Sequence, residues 1–242
     1  MVWYTRWFGT PYYKLLYGHR DEADAKAWVE AIQARWKLPT GARLLDLACG
    51  RGRHARHFAA LGLRVTGADI SPESIAEARA LVPGAEFLVH DMRVPIAGAR
   101  FDAIVCLFTS LGYSGSMDDD QRVLSAVEAM LVPGGRFVLD FMNTPLVLRQ
   151  LVPEESVEAA GVRFRVRRRC EGGAIVKRIR VYDSGGTCDF EERVQALTPA
   201  QIEAMALRAG LLIEDRTDGP EPTPFDPERS NRFVLWARKS EA

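Results

Sequence analysis

The sequence predicts a doubly wound α/β fold carrying an antiparallel insertion, and three observations lead there. Short apolar segments alternate with helical stretches over the first two thirds of the chain. The alternation breaks after Phe141 into closely spaced strands, and it resumes from Pro199. A chain of 242 residues is long enough for one such domain with a modest insertion, and short for two full domains.

The elements follow in order. From Glu22 the apolar positions Trp28, Val29, Ile32 and Trp36 recur at helical spacing behind Asp21 as cap. Arg43 to Ala48, Arg64 to Asp69, Ala85 to His90, Phe101 to Phe108 and Arg136 to Phe141 read as strands. Helices from Arg53, Pro72 and Met117 connect most of them, which implies a parallel sheet buried on both faces. Val162 to Arg169, Ala174 to Asp183 and Thr187 to Leu197 are separated by Gly172-Gly173 and Ser184-Gly185-Gly186, the pattern of a three-stranded meander. Within it Val162, Phe164 and Val166 alternate with Arg163, Arg165 and Arg167, so one face is apolar and the other charged, read as a solvated face in preference to an anion-binding strip. A helix from Pro199 and strands at Leu211 to Glu214 and Arg232 to Lys239 complete the chain.

Charge and cysteines narrow the function. The 32 Lys and Arg balance the 32 Asp and Glu, so no global field gathers nucleic acid or a membrane surface. The opening residues lack a signal peptide's pattern and no apolar run reaches membrane-spanning length, so a cytoplasmic protein is expected. Cys49, Cys106, Cys170 and Cys188 form no paired spacing, and His54 and His57 have no accompanying carboxylate pattern; free thiols and no metal site are expected.

The chemistry concentrates in Leu44-Leu45-Asp46-Leu47-Ala48-Cys49-Gly50-Arg51-Gly52-Arg53-His54-Ala55, a strand entering a glycine turn and then a helix. Gly50 and Gly52 permit a sharp turn and close approach of a ligand to the backbone. The same motif fits a dinucleotide enzyme, and two acidic positions separate the readings. Asp69, closing the second strand, can accept both hydroxyl hydrogens of an adenosine ribose, which suits either cofactor. Asp46 sits just ahead of the glycines, where it would repel a pyrophosphate and welcome an ammonium group. Asp91, after the third strand, is placed for an adenine amino group. Asp46 as a turn residue and Asp91 as a helix cap are the ordinary alternatives. Together the three acids favour S-adenosylmethionine over NAD, with Ile70 and Met92 beside them in the cofactor set. The Leu107 carbonyl meets the cofactor ammonium in this reading, and Phe108 and Tyr113 wall the methyl-transfer cavity; core packing is the plain alternative for both rings.

These motifs resemble a group of class I S-adenosylmethionine-dependent methyltransferases acting on small molecules. The likeness runs through Trp7 to Asp21, the Asp-Leu-Ala-Cys-Gly-Arg-Gly-Arg-His loop, Val89 to Arg93, Leu107 to Tyr113 and Ser230 to Lys239. More distant relatives with a similar fourth-strand loop methylate amino groups of sugars and antibiotic precursors. Ser114 departs from the group, which tends to carry a further aromatic there. The resemblance implies a Rossmann-like seven-stranded sheet, order 3-2-1-4-5-7-6, with the last-formed strand antiparallel. It also implies a leading segment folded over the cofactor, with Tyr12, Tyr13, Tyr17 and Arg20 in it; Arg20 could pair with the methionine carboxylate, and Tyr12 and Tyr17 face the acceptor.

The expectation is therefore methyl transfer to a nitrogen or oxygen of a small-molecule acceptor, with Tyr113 as base if the acceptor is a hydroxyl. The rivals are an S-adenosylmethionine sensor without turnover, an RNA methyltransferase and an NAD-dependent oxidoreductase. Residues 1–40 are expected as an amino-terminal cap, 41–145 with 198–242 as the cofactor-binding core, and 146–197 as an insertion serving as lid or oligomer contact, a homodimer being the assembly allowed.

Overall fold

The computed structural model describes residues 3–18 and 22–241. Two short helices lead, α1 (Trp3–Trp7) and α2 (Pro11–Leu16), followed by α3 (Glu22–Trp36). The core then runs β1 (Arg43–Leu47), α4 (Arg53–Ala60), β2 (Arg64–Asp69), α5 (Pro72–Leu81), β3 (Glu86–Val89), β4 (Phe101–Cys106), α6 (Met117–Met130) and β5 (Leu131–Met142). After α7 (Thr144–Arg149) come β6 (Glu154–Ala159), β7 (Val162–Glu171), β8 (Ala174–Asp183) and β9 (Gly186–Gln195). The chain closes with α8 (Pro199–Arg208), β10 (Leu211–Thr217) and β11 (Arg232–Lys239).

The main sheet has the order β3-β2-β1-β4-β5-β11-β10. Only β11 runs antiparallel, pairing so with both β5 and β10, as the expected 3-2-1-4-5-7-6 order requires. Period-2 alternation sorts its side chains into two layers. Leu44, Val105, Val138 and Trp236 join Trp28, Ile32 and Trp36 of α3 on one face. Leu45, Ile104, Leu139 and Leu235 join Leu124 and Val127 of α6 and Met205 of α8 on the other. Each of these large apolar side chains contributes about 1.5 to 3 kcal/mol by leaving water.

The insertion is a separate antiparallel sheet, β6-β7-β8-β9. The three expected strands are present and a fourth, β6, pairs with β7 at their edge. Its sequence, Glu154-Glu155-Ser156-Val157-Glu158-Ala159, shows no apolar alternation because it is a half-exposed edge strand whose acids answer the arginines of β7. Phe164, Val166, Ile179 and Val181 are buried on the inner face against Trp7 and Leu16, so this chain's own leading helices cover that face. The arginines of the outer face form an exposed ion-pair ladder, Arg167 with Glu154, Arg178 with Glu191 and Arg180 with Asp189. This is the solvated face read from the sequence.

β4 stops at Cys106 rather than Phe108 because Phe108 and Thr109 take left-handed conformations, φ 60° and 57°. Asp140 of β5 holds that bend. Its carboxylate accepts the Phe108 N–H at 2.8 Å, its carbonyl accepts the Thr109 N–H at 3.0 Å, and Arg232 of β11 donates to both carboxylate oxygens. Asp140 is 0 % exposed, so Arg232→Ala would leave a buried charge without its cation. We expect that variant to lose about 3 to 5 kcal/mol of stability in chaotrope unfolding, whereas a change within about 0.5 kcal/mol would contradict the clamp.

Candidate functional site

Three left-handed residues in close succession, Ala48, Gly50 and Gly52, turn the chain from β1 into α4. The two glycines serve different needs. A Cβ on Gly52 would meet Ala78 at 3.1 Å and Phe87 at 3.3 Å, so this position permits close packing on α5 and β3. A Cβ on Gly50 would meet nothing within 4 Å, because this position borders open space. Gly52, expected like Gly50 at the cofactor, does not itself line the cavity formed beside this turn.

Asp69 fastens the turn, accepting the N–H of Gly50 and of Ser71 at 2.9 Å each. Burial pushes its carboxyl up from the ordinary range, against the pull of those N–H bonds. Each oxygen keeps a further lone pair, so the group can still accept two hydroxyls. Asp46, 2 % exposed, takes the Ala55 N–H from the first turn of α4, while its Oδ2 has no partner. Burial, reinforced by the charge of Asp69, raises its carboxyl to about 7.

Both acids line a cavity of about 380 Å³ at the carboxyl ends of the strands, where ligands of open α/β sheets bind. Ile70, Asp91, Met92 and Leu107 share its wall. Asp91 is held by Arg93, whose hydrogen bonds lower its carboxyl below the usual range. No helix follows it, so the cap alternative falls away in favour of a local turn. The Leu107 carbonyl accepts the Ser110 hydroxyl at 2.9 Å and retains a second lone pair. His54, also in the wall, is buried with its Nε2 unpartnered, and burial lowers its imidazole to about 3, so it is neutral.

Tyr113 also lines the cavity, and its ring packs against Trp3 (5.2 Å between centroids), Phe8 (5.6 Å) and Tyr4 (6.4 Å). Phe108 touches the cavity, yet its ring lies among Arg53, His54 and Trp28, as the packing alternative requires. Tyr13 and Tyr17 reach the wall, and the Tyr17 hydroxyl meets Glu192 of β9 at 2.7 Å. Tyr12 does not reach it. Its hydroxyl donates to Asp183 and its ring packs on Phe164 and Phe190, because adjacent residues of a one-and-a-half-turn helix face different ways. Arg20 lies outside the described residues. Tyr4, Phe8, Asp120 and Glu192 were not anticipated. Trp3, Tyr4, Trp7 and Phe8 carry a helical spacing that could have exposed the first two, whereas Glu192 sits in a run of charges with no distinguishing mark. The four cysteines are free, and no metal-binding cluster occurs among the described residues.

A family model described as a methyltransferase domain matches residues 44–135. The chain is 33% identical over 211 residues to a dTDP-3-amino-3,6-dideoxy-α-D-glucopyranose N,N-dimethyltransferase of Streptomyces fradiae, covering 84% of this chain and 80% of that one. It is 30% identical over 220 residues to a dTDP-3-amino-3,4,6-trideoxy-α-D-glucopyranose N,N-dimethyltransferase of Streptomyces venezuelae, covering 86% and 92%. An S-adenosylmethionine-bound amino pentose methyltransferase from Micromonospora echinaspora superposes with a TM-score of 0.73 at 26% identity, covering 96% of this chain and 98% of that one.

The burial of Asp46 has a pH consequence. With its carboxyl near 7 in the folded chain and the ordinary 3.8 when unfolded, the native state holds a proton that the unfolded state has released. The resulting stability is complete below the unfolded value and is lost as pH rises through about 7. Between about pH 5.5 and 7.5 the ligand-free wild type should lose about 2 kcal/mol relative to Asp46→Asn, which has no proton to lose. Unfolding curves of the pair at those two pH values check this; a constant gap would contradict it.

Proposed function

The chain belongs to the S-adenosylmethionine-dependent methyltransferase family, and we propose that its acceptor is the amino nitrogen of a nucleotide-linked amino sugar. The observation that carries this reading is likeness to two sugar N,N-dimethyltransferases over more than four fifths of this chain. The cavity supports it, since a carboxylate-lined end adjoins an aromatic chamber in one continuous space.

The residues present fit the cofactor. The unpartnered Oδ2 of Asp46 and the second lone pair of the Leu107 carbonyl suit the methionine ammonium. Asp69 holds the ribose hydroxyls, Asp91, Met92 and Ile70 border the adenine, and the open space at Gly50 lets the backbone approach. When bound, the cofactor supplies a methyl group on a sulfonium. Tyr13 closes the cofactor end, while Tyr4, Phe8 and Tyr113 exclude water and keep the acceptor amine neutral and aligned. Tyr17 borders the acceptor and is braced by Glu192, and Phe108, packed on His54, forms part of the wall. A neutral amine attacks with its own lone pair and afterwards sheds its proton to solvent, so Tyr113 orients rather than deprotonates. The leading helices α1 and α2 and residues 146–197 act together as a lid over the core, to which α3 belongs.

Labelled methyl transfer into dTDP-3-amino-3,6-dideoxyglucose, with the 3-hydroxy sugar as control, tests the proposal. Label on the amino sugar alone is expected. Label on the hydroxyl sugar alone, or on neither while S-adenosylmethionine binds, would overturn it.

A further inference from the structure

The loop from Leu107 to Ser114 runs along the cavity, with both Leu107 and Tyr113 in its wall. Its middle rests on Asp120, a side chain 1 % exposed in the first turn of α6. One oxygen of Asp120 accepts the Gly112 N–H at 2.9 Å, and the other accepts the Gln195 side-chain amide at 2.8 Å. The Gln195 N–H in turn donates to the Gly112 carbonyl at 2.8 Å. Gln195 is the last residue of β9, so the place where the insertion rejoins the core is tied to the residue before Tyr113. The approach is close. Gly112 is left-handed at φ 86°, and a Cβ there would stand 3.3 Å from the Gln195 nitrogen. Val194 and Leu111 are buried beside them in one core cluster.

We propose that Asp120 is a positioning residue that sets Tyr113 against the acceptor and couples it to the insertion, so that the insertion and the Tyr113 loop move as one body. This rests on the reading that Tyr113 walls the acceptor space. Two features support it. A carboxylate kept in a buried place is costly unless its bonds are used, and the two oxygens of this one are used on two separate segments, the loop just ahead of α6 and the end of β9. The cost is visible as a carboxyl raised to about 6 by burial. A closed ring of hydrogen bonds through Asp120, Gly112 and Gln195 also has fewer ways to loosen than a single contact, because losing one member frees both others.

The test uses the full chain with Asp120→Ala, Asp120→Asn and Gln195→Ala. Amide hydrogen exchange is read on the segments 107–116 and 190–197, with titration of S-adenosylmethionine and steady-state kinetics alongside. In Asp120→Ala both segments should exchange about tenfold faster or more, together, while cofactor affinity stays within about twofold. With an accepted amino sugar the acceptor KM should rise more than kcat falls, and Asp120→Asn should recover part of the loss because its amide oxygen still receives the Gly112 N–H. Gln195→Ala should speed exchange in 107–116 although it lies outside that segment; it answers the question if Asp120→Ala does not fold. Faster exchange in one segment only, or cofactor and acceptor affinities falling equally, would overturn the coupling. Exchange and cofactor titration do not depend on the acceptor, so a failed sugar assay leaves this result readable on its own.

Discussion

Carboxyl groups buried at and around the carboxyl edge of the main sheet are the constraint from which the site follows. A carboxylate removed from water needs a cation or several donors, and each here is supplied differently. The Asp140 carboxylate takes Arg232 and the backbone N–H of Phe108. Asp69 takes two backbone N–H groups, and Asp120 one N–H and one amide. Asp46 receives the Ala55 N–H and leaves an oxygen without a partner. The deficit therefore stands in the cavity wall, where a ligand bearing an ammonium removes it and a pyrophosphate would deepen it. Methyl transfer from a cationic cofactor suits such a wall better than hydride transfer from a dinucleotide.

The same economy of burial explains why distant segments converge. The insertion sheet has an apolar inner face and the leading helices have a stripe of aromatic residues, and neither is stable facing water alone. Each covers the other through Trp7, Leu16, Phe164 and Ile179. The polar tips that this stripe carries find partners on the insertion. Tyr17 and Trp7 both donate to Glu192, and Lys177 lies 3.7 Å from the same carboxylate. On the core side Lys14 pairs with Glu77 and Arg51 donates to the Phe8 carbonyl, which holds the assembly over the strand ends. The aromatic chamber at Tyr113 is thus a by-product of two faces that had to be buried.

Much of this was legible in the residues. Strand β8 and strand β11 fall where the sequence places them, since both are apolar-rich and have glycine or charged boundaries. Asp46, Gly50, Asp69, Asp91 and Leu107 line one cavity because each sits at a strand end, and strand ends of a parallel sheet share one edge. Edge and tertiary effects hid the rest. Strand β6 is made of glutamates whose reason is the arginine of the neighbouring strand. The choice between Tyr12 and Tyr13 depends on how α2 is rotated, which its six residues do not reveal. The division of labour between Gly50 and Gly52 depends on Phe87, which arrives from another strand. The early end of β4 depends on Asp140, more than thirty residues away.

The pairing of Asp46 with a ligand ammonium is the centre of this account, and a thermodynamic cycle measures it directly. S-adenosylhomocysteine and its analogue lacking the α-amino group are titrated calorimetrically into wild type and Asp46→Asn. Removing the amino group should weaken binding to the wild type by about 1.5 to 3 kcal/mol, the range of a charge-assisted hydrogen bond, and should matter little to Asp46→Asn. An equal loss in both proteins would contradict the assignment.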